Sequence, residues 1–221
     1  MIVPARNEAE GIAATLERLR EPEVLEVIVV DGASEDGTAE QARAHADRVV
    51  SSPPGRARQM NAGARVARAD VLFFLHADTL VPRGFARAIA SACRAEAVIG
   101  GRFDVDVGAP GLAYRAISGG INLRSRWTRV FTGDQGLFIR REAFERLGGF
   151  PEMPLLEDLA LSIAMKRHGR VACLRERVTT SARRWEREGV VRTVLWMWAL
   201  RALYFLGVSP ERLARLYRDV R

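Results

Sequence analysis

The sequence predicts an α/β fold: a mostly parallel central sheet flanked by helices and followed by a helical C-terminal appendage. One observation is that short apolar runs alternate with helical patterns through the first half of the chain, which is typical of βαβ units. A second is the uninterrupted Val-Ile-Val-Val run at 27–30, which suits a strand buried on both faces. A third is the composition, because 48% hydrophobic and 28% charged residues in a chain of 221 are enough for one packed domain and argue against disorder.

The first half of the chain is predicted to hold four strands and three helices. Ile12 and Leu16 fall on one face of the first helix. Ser34 is expected to cap the second helix, with Gly37 and Thr38 in its first turn. The predicted strands are 1–4, 24–31, 48–51 and 71–75, and the predicted helices are 8–20, one beginning near Gly37, and 56–67.

The second half is predicted to extend the sheet and then to become helical. The Gly100-Gly101 pair indicates a bulge or a close backbone approach inside the fifth strand. The Gly119-Gly120 pair is expected to weaken the helix predicted at 112–127, within which it lies, because glycine lowers helix stability. The predicted strands are 97–107, 136–139 and 170–174, and the predicted helices are 112–127, 141–147, 157–168, 190–206 and 210–221.

The charge balance narrows the classes of partner. A net charge of +7 favours phosphates, acidic lipid headgroups and other polyanions. No helix-turn-helix, zinc or aromatic-platform pattern accompanies it, so no nucleic acid is expected as a partner. Cys93 and Cys173 are expected to be buried structural thiols. The chain shows no signal-peptide pattern and no run of 18 apolar residues, so a cytoplasmic protein is expected, in contact at most with the inner face of a membrane.

Polar side chains follow three strands of the predicted parallel sheet. Because ligands of such sheets bind beyond the carboxyl ends of the strands, these side chains are expected to converge on one site. They are Arg6, Asn7 and Glu8 after the first strand, Asp31, Gly32, Ser34 and Asp36 after the second, and His76 and Asp78 after the fourth.

Two of these strand ends suggest particular ligands. Asp31 could accept hydrogen bonds from a ribose or a base, or could simply form the turn that follows it. Asp78 could bind Mg²⁺ or Mn²⁺, which take oxygen ligands and share them with substrate phosphates. His76 lies on the same side of a segment predicted to be extended, either as a second metal ligand or as a hydrogen-bonded side chain.

Two helix starts add further candidates. Arg56, Arg58 and Asn61 open a helix whose free N–H groups suit a diphosphate, although a solvated helix face would look the same. Glu157 and Asp158 open another helix, either for favourable interaction with its dipole or as a general base beside an apolar wall.

Several motifs together resemble family 2 glycosyltransferases of the GT-A fold. The resemblance covers roughly residues 1–185. It rests on Ile2-Val3-Pro4-Ala5-Arg6-Asn7-Glu8, Val29-Val30-Asp31-Gly32-Ala33-Ser34-Glu35-Asp36-Gly37-Thr38, Phe74-Leu75-His76-Ala77-Asp78 and Glu157-Asp158. Three further segments are similar to a small bacterial subgroup, some of whose members are linked to arsenosugar biosynthesis. They are Gly55-Arg56-Ala57-Arg58-Gln59-Met60-Asn61, Gly133-Asp134-Gln135-Gly136 and Arg183-Arg184-Trp185.

The resemblance implies a role for each matching position. Asp78 corresponds to the metal-binding carboxylate of an Asp-x-Asp motif in which His76 replaces the first Asp. Asp158 corresponds to the catalytic base, with Glu157 beside it. The nucleotide-sugar residues would be Pro4, Arg6, Glu8, Asp31, Arg56, Arg58, Asn61, Ala77 and Arg184, and the acceptor-side residues Asp134, Gln135 and Trp185. The resemblance also implies a UDP- or GDP-linked sugar as donor and Mn²⁺ or Mg²⁺ as cofactor.

The sequence therefore predicts a metal-dependent inverting glycosyltransferase with an unidentified acceptor. Residues 1–185 would form the GT-A domain, with a nucleotide-binding half at about 1–80 and an acceptor half at about 95–185. Residues 186–221 would pack on this domain, form a homodimer seam or lie on a membrane surface. Ser181 replaces the Gln of the Gln-x-x-Arg-Trp segment of processive relatives, which argues against a polymer synthase. The alternatives are a non-catalytic protein that binds nucleotide-sugars or membrane surfaces, and a sugar nucleotidyltransferase.

Overall fold

The computed structural model describes residues 1–219, which form an α/β fold around one sheet. Its eight strands run in the order β3-β2-β1-β4-β7-β6-β8-β5. The strands are β1 Ile2–Ala5, β2 Ile28–Asp31, β3 Arg48–Ser51, β4 Val71–Phe74, β5 Thr79–Leu80, β6 Val98–Val107, β7 Leu137–Arg140 and β8 Arg170–Thr180.

Helices cover both faces of the sheet and form the C-terminal part of the chain. They are α1 Ala9–Arg18, α2 Thr38–His45, α3 Arg56–Val66, α4 Phe85–Ala92, α5 Leu112–Thr128, α6 Arg141–Arg146, α7 Glu157–His168, α8 Arg183–Glu188, α9 Val190–Phe205 and α10 Pro210–Asp219. A 3₁₀ turn spans Gly133–Gln135. The last two residues of the predicted helix 210–221 lie outside the described residues.

The sheet is mixed, and its parallel half positions the candidate site. β1 pairs in parallel with β2 and β4, and β3 pairs in parallel with β2, so four strands end at the same edge. β7 is antiparallel to both of its neighbours, whereas β6 and β8 are parallel to each other. The predicted α/β class with C-terminal helices is confirmed, and the parallel pairing applies mainly to its first four strands.

The core has one apolar layer on each face of the sheet. Alternate residues of each central strand point to opposite layers, so Val3 and Phe73 pack in one cluster, while Ile2 and Phe74 pack in the other. β1 and β2 are buried along their whole length, which explains why their sequences are continuously apolar. Burial of both faces holds the strand ends, and the loops that follow them, in fixed positions.

The structure corrects several details of the predicted elements. α4, β5 and α8 were not predicted because they have only two to eight residues. β8 continues to Thr180, beyond the predicted end at 174, because residues 177–180 pair with β6 again after a register shift. Ser34 does not cap α2: the helix follows Gly37, and the Asp36 carboxylate accepts the Thr38 N–H at 3.0 Å.

The C-terminal helices pack against the sheet domain. Trp185 of α8 is buried with Val107 and Ala182, and Val194 and Met197 of α9 pack on the same cluster. Within residues 1–219 no helix has the length and apolar character needed to cross a membrane. Cys93 and Cys173 are free thiols, and both are partly exposed rather than fully buried as predicted.

Candidate functional site

The loops after β1 and β2 are joined by reciprocal hydrogen bonds. Asn7 donates its backbone N–H to Ser34 Oγ at 3.0 Å and accepts the Glu35 N–H on its side-chain oxygen at the same distance. Asp36 caps α1 from the neighbouring loop, because its Oδ2 accepts the Ala9 N–H at 3.0 Å. The hydrogen bonds from Thr38 and Ala9 lower the pKa of Asp36. The two strand ends therefore form one braced edge.

Asp31 is a buried carboxylate with one unused oxygen. Its Oδ2 accepts the Ser34 N–H at 3.2 Å, whereas its buried Oδ1 has no hydrogen-bond partner among the described residues. Gln59 braces the same place, donating to the carbonyls of Ala5 and Val30 at 2.9 and 2.8 Å. A Cβ on Gly32 would lie 2.8 Å from that amide. Because buried acceptors are nearly always paired, Asp31 Oδ1 is suited to a donor group of a ligand.

Two carboxylates of this edge face one guanidinium. Arg183 Nη2 lies 2.8 Å from Glu8 Oε2 and 4.0 Å from Asp78 Oδ2. The hydrogen bond and charge of Glu8 raise the pKa of Arg183. A cationic atom already lies between the two oxygens, so their arrangement suits a positive ligand. The motif Arg183-Arg184-Trp185 contains Arg183, but only Arg184 and Trp185 were predicted to have a role in the site.

His76 faces another part of the site. Residues 77 and 78 form a turn, with Thr79 N–H bonded to His76 O at 3.1 Å, so the predicted extended segment is wrong. A Cβ on Gly133 would lie 2.5 Å from His76 Nε2 and 3.3 Å from Asp158 Oδ2. Burial and the charge of Arg56 hold the pKa of His76 well below its usual range. The imidazole is therefore neutral and lies beside Asp158, with glycine required between them.

Asp158 is buried at the start of α7. Its Oδ2 accepts the Gly133 N–H at 2.5 Å, and its Oδ1 accepts the Leu159 N–H at 2.6 Å. Desolvation raises the pKa of this carboxyl, although the Gly133 hydrogen bond and the charge of Arg56 oppose the rise. A buried carboxylate with a raised pKa is a stronger proton acceptor than a solvated aspartate, as a general base requires.

Glu157 lies beside it and is less well satisfied. Its buried Oε1 has no hydrogen bond, and the nearest cation, Arg56 Nη1, lies 3.9 Å away, within ion-pair distance only. Burial and the neighbouring Asp158 raise the pKa of Glu157 to about 7. Arg56 thus bears on His76, Glu157 and Asp158 together.

The other predicted donor-side residues are spread around this edge. Pro4 and Ala77 are buried in its floor, and Arg6 is exposed in the loop after β1. Arg58 pairs with Glu152 at 3.2 Å. Asn61 donates to Phe150 O at 2.8 Å and accepts the Phe150 N–H at 2.9 Å. Of the three polar residues at the start of α3, only Arg56 faces the carboxylates of α7.

Of the predicted acceptor-side residues, Asp134 and Gln135 lie in the 3₁₀ turn and Trp185 lies in α8. Asp134 Oδ1 accepts a hydrogen bond from the Thr132 hydroxyl. Gln135 is fully buried and donates to Ser125 Oγ at 3.0 Å. Trp185 packs in the cluster beneath α9, and Arg184 lies 3.5 Å from Glu188 and over the ring of Tyr217.

Arg124 of α5 is a further candidate that sequence reasoning missed. Burial and the nearby Arg201 lower its pKa to about 10, while Asp134 and Asp158 oppose that change. Its Nη1 donates to Val130 O at 3.2 Å, and its buried Nη2 has no partner among the described residues. No local pattern marks Arg124, because only the packing of α5 brings it near the acidic residues.

The donor set limits how a metal could be held. In the described part of the chain no three His, Cys, Asp or Glu side chains cluster closely enough to bind an ion by themselves. Mg²⁺ and Mn²⁺ are commonly held by one or two carboxylates together with substrate phosphates. Asp78 and Glu8, which both lie within 4.0 Å of the Arg183 guanidinium, fit an arrangement in which one or two carboxylates and substrate phosphates hold the metal.

Comparison with known proteins gives a sequence match and a structural likeness. The model of the family described as "Glycosyl transferase family 2" matches residues 1–148. No curated protein matches the sequence.

Three solved structures illustrate the likeness. TarS 1-349 of S. aureus is 18% identical, with a TM-score of 0.62 over 82% of this chain and 59% of that one. Mannosyltransferase PcManGT from Pyrobaculum calidifontis, in complex with GDP-Man and Mn²⁺, is 21% identical, with a TM-score of 0.63 over 99% and 68%. Glucosyl-3-phosphoglycerate synthase from Mycobacterium tuberculosis, in complex with Mn²⁺, UDP and glucosyl-3-phosphoglycerate, is 21% identical, with a TM-score of 0.60 over 80% and 68%. At these identities the likeness shows the fold, and the chain spans less than two thirds of TarS 1-349.

Proposed function

Because the chain belongs to glycosyl transferase family 2, we propose that it transfers a sugar from a nucleotide-diphospho-sugar to a hydroxyl group, with inversion and with a divalent metal. One observation carries this proposal: Asp158 is a buried carboxylate with a raised pKa, held by backbone donors beside His76. Both side chains lie close to Gly133, and His76 shares the loop after β4 with Asp78. Such a transfer needs a base close to the place where the diphosphate and the metal would be bound.

The nucleoside would lie at the ends of β1 and β2. Asp31 Oδ1, buried and without a partner, would accept a hydrogen bond from the base or the ribose. Pro4, Ala77 and Arg6 would line this part of the site. UDP- and GDP-linked sugars are the donors we propose, since PcManGT is solved with GDP-Man and the glucosyl-3-phosphoglycerate synthase with UDP.

The diphosphate would lie near Asp78 and the arginines. Mn²⁺ or Mg²⁺ would be held by Asp78, with Glu8 close by, and would supply neutralisation of the charge that builds on the leaving diphosphate. Arg183 lies beside Glu8 and Asp78, Arg56 lies beside Glu157, and both arginines would add further positive charge. Arg58, Asn61 and Arg184, which face other partners, remain predicted donor-side residues.

The chemical step follows from the position of the base. Asp158 would take the proton of the acceptor hydroxyl as that oxygen attacks the anomeric carbon from the face opposite the nucleotide. The bond between the anomeric carbon and the diphosphate oxygen breaks, and its electron pair leaves with the diphosphate. The Gly133 N–H holds the Asp158 carboxylate in place during this transfer. One displacement inverts the anomeric configuration.

A donor-only experiment tests the proposal without knowledge of the acceptor. The unfolding temperature is measured with UDP- and GDP-linked sugars, with and without Mn²⁺. In parallel, the release of nucleotide is followed as the donor sugar is transferred to water in place of the acceptor. We expect Asp158→Asn to keep the metal-dependent thermal shift and to lower release by about a hundredfold or more, the usual contribution of a general base.

The control is Asp70→Asn, which changes an exposed carboxylate distant in sequence from both helix starts and should alter neither readout. Full nucleotide release by Asp158→Asn would rule out this base. A lack of any nucleotide-dependent shift in the unchanged protein would rule out the donor site itself.

A further inference from the structure

One face of α9 is apolar along its length and exposed to solvent. Its large residues follow one another at intervals of four and three, so they share one side of the helix. Trp198, in the middle, is 66% exposed. The exposed residues of this α9 face are Val191, Leu195, Trp198, Ala202, Phe205 and Leu206. Isolated exposed apolar residues are normal, but a continuous row of this kind marks an interaction surface.

The neighbouring helix α5 has an exposed row of the same kind. Tyr114 and Ile117 of α5 pack on the Trp185 cluster from which α9 also extends, so the two helices adjoin. Trp127, at the end of the row, is 87% exposed. The exposed residues of this α5 face are Leu112, Ala116, Leu123 and Trp127. These side chains are exposed among the described residues, whereas Ser118, Asn122 and Ser125 on the opposite side of α5 are buried.

The charges around both faces are mostly positive. α5 contains three arginines and no acidic residue, and α9 contains two arginines and no acidic residue. Arg115, Arg192, Arg212 and Arg215 are exposed around these helices, and residues 190–217 contain one acid, Glu211. A second copy of the chain placed on this surface would bring arginines against arginines. An anionic surface would instead complement them.

We propose that the α9 face, with the adjoining α5 face, docks the protein on the surface of a membrane that contains acidic phospholipids. Exposed Trp, Phe and Leu side chains flanked by arginines are suited to the boundary between headgroups and acyl chains. The aliphatic stems of the arginines can lie along the apolar row while the guanidinium groups reach lipid phosphates. The docking is independent of catalysis and can be measured by binding alone.

Vesicle flotation tests the proposal with the whole chain. The probes are phosphatidylcholine vesicles with and without about one third phosphatidylglycerol, at low and high salt. We expect binding to the acidic vesicles only, weakened by salt. The double variant Leu195→Ser and Trp198→Ser should bind at least about tenfold more weakly, since it removes two side chains from the apolar contact. Arg212→Gln with Arg215→Gln should lower binding to acidic vesicles.

Two control variants distinguish binding through this surface from nonspecific binding to vesicles. Leu25 is as exposed as Leu195 but precedes β2, and Arg65 is exposed near the end of α3, so Leu25→Ser and Arg65→Gln should leave binding unchanged. Circular dichroism is used to check that each variant is folded. Equal vesicle binding by the unchanged chain and the Leu195/Trp198 double variant would overturn the proposal. So would a lack of vesicle binding together with a dimer, in sedimentation, that the same double variant dissociates.

Discussion

Glu157 and Asp158 are adjacent acids at the start of α7, yet they have different surroundings. Asp158 receives two backbone N–H groups, whereas Glu157 Oε1 receives none. The helix dipole favours both, and the 3.9 Å contact with Arg56 favours Glu157, but burial opposes its charge more strongly. Glu157 is therefore a source of instability when ionised, while the Asp158 carboxylate is held by two backbone hydrogen bonds.

This difference predicts a pH-dependent stability. Burial raises the pKa of Glu157 from 4.5 to about 7, so the folded chain binds its proton more tightly than the unfolded chain. The resulting contribution to folding is fully present below pH 4.5 and is lost as the pH rises through about 7. Glu157→Gln, which cannot ionise, should be more stable than the unchanged chain at pH 8 by on the order of 2 kcal/mol. Urea unfolding at pH 5 and pH 8 measures the difference.

The exposed acid Glu96 supplies the comparison for this experiment. Glu96→Gln should show the same pH dependence of the unfolding free energy as the unchanged chain. If Glu157→Gln loses stability equally at both pH values, Glu157 contributes as a paired anion, and the argument from burial is wrong.

The individual candidate residues differ in how far the sequence could indicate them. Asp31 ends one buried apolar strand and Asp78 lies in the turn that follows another, so the parallel topology brings both to one edge. Whether Arg183 or Arg184 contacts Glu8 and Asp78 depends on how the short helix α8 is rotated about its axis. Two adjacent arginines in the sequence do not indicate that rotation. Arg124 becomes a candidate only through the packing of α5 against distant segments.

Glycine pairs in β6 and α5 show how the same residue serves two elements differently. In β6, a Cβ on Gly101 would overlap the Ala172 carbonyl oxygen and lie 2.6 Å from Phe138 Cζ. In α5, a Cβ on Gly119 would meet nothing within 4 Å. The predicted close approach at Gly100-Gly101 is confirmed, with a register shift between Val98 and Gly100. The glycines of α5 do not prevent that helix from forming.

Alanine substitutions should therefore have opposite effects in the two elements. Gly101→Ala should lower the free energy of unfolding by about 1–3 kcal/mol, because backbone and ring atoms of two neighbouring strands must move. Gly119→Ala should raise it by about 0.5–1 kcal/mol, because alanine loses less entropy in a helix and meets no obstacle. Thermal and urea unfolding of both variants would decide. A stabilised Gly101→Ala would mean that β6 is not held as tightly between β7 and β8 as the contacts indicate.

Strands and helices differ in how well their own sequences determine them. β1, β2 and β4 were predictable because both of their faces are buried, which requires continuous apolar sequence. The two residues of β5 and the charged middle of β8 carry no such signal. β5 is a strand because it pairs with Thr179 and Thr180 at the end of β8, and β8 is a strand because it pairs with β6. Pairing between distant segments does not appear in a local pattern.

The C-terminal part of the chain completes the edge that the first four strands begin. Ser181 N–H bonds to Asp78 O at 3.2 Å, and Arg183 meets Glu8, which lies 175 residues earlier. In the sheet, β7 lies between β4 and β6 and therefore separates the first four strands from the parallel pair of β6 and β8. The segment after β8 must run back past β7 to reach Asp78 and Glu8. The predicted boundary at residue 185 stays a prediction, and the contacts of Trp185 join the segments on its two sides.

This closure predicts that Arg183 competes with a metal for the carboxylates. A positive charge 4.0 Å from Asp78 Oδ2 opposes cation binding by about 1 kcal/mol in a largely aqueous setting, or about fivefold in affinity. Arg183→Gln should therefore tighten Mn²⁺ binding in the absence of nucleotide by about that factor. Arg184→Gln, one residue away but directed at Glu188 and Tyr217, should not change it. Titration followed by the electron paramagnetic resonance signal of free Mn²⁺ measures both variants without relying on activity. Weaker Mn²⁺ binding by Arg183→Gln would instead mean that the guanidinium holds Glu8 and Asp78 in the arrangement a metal requires.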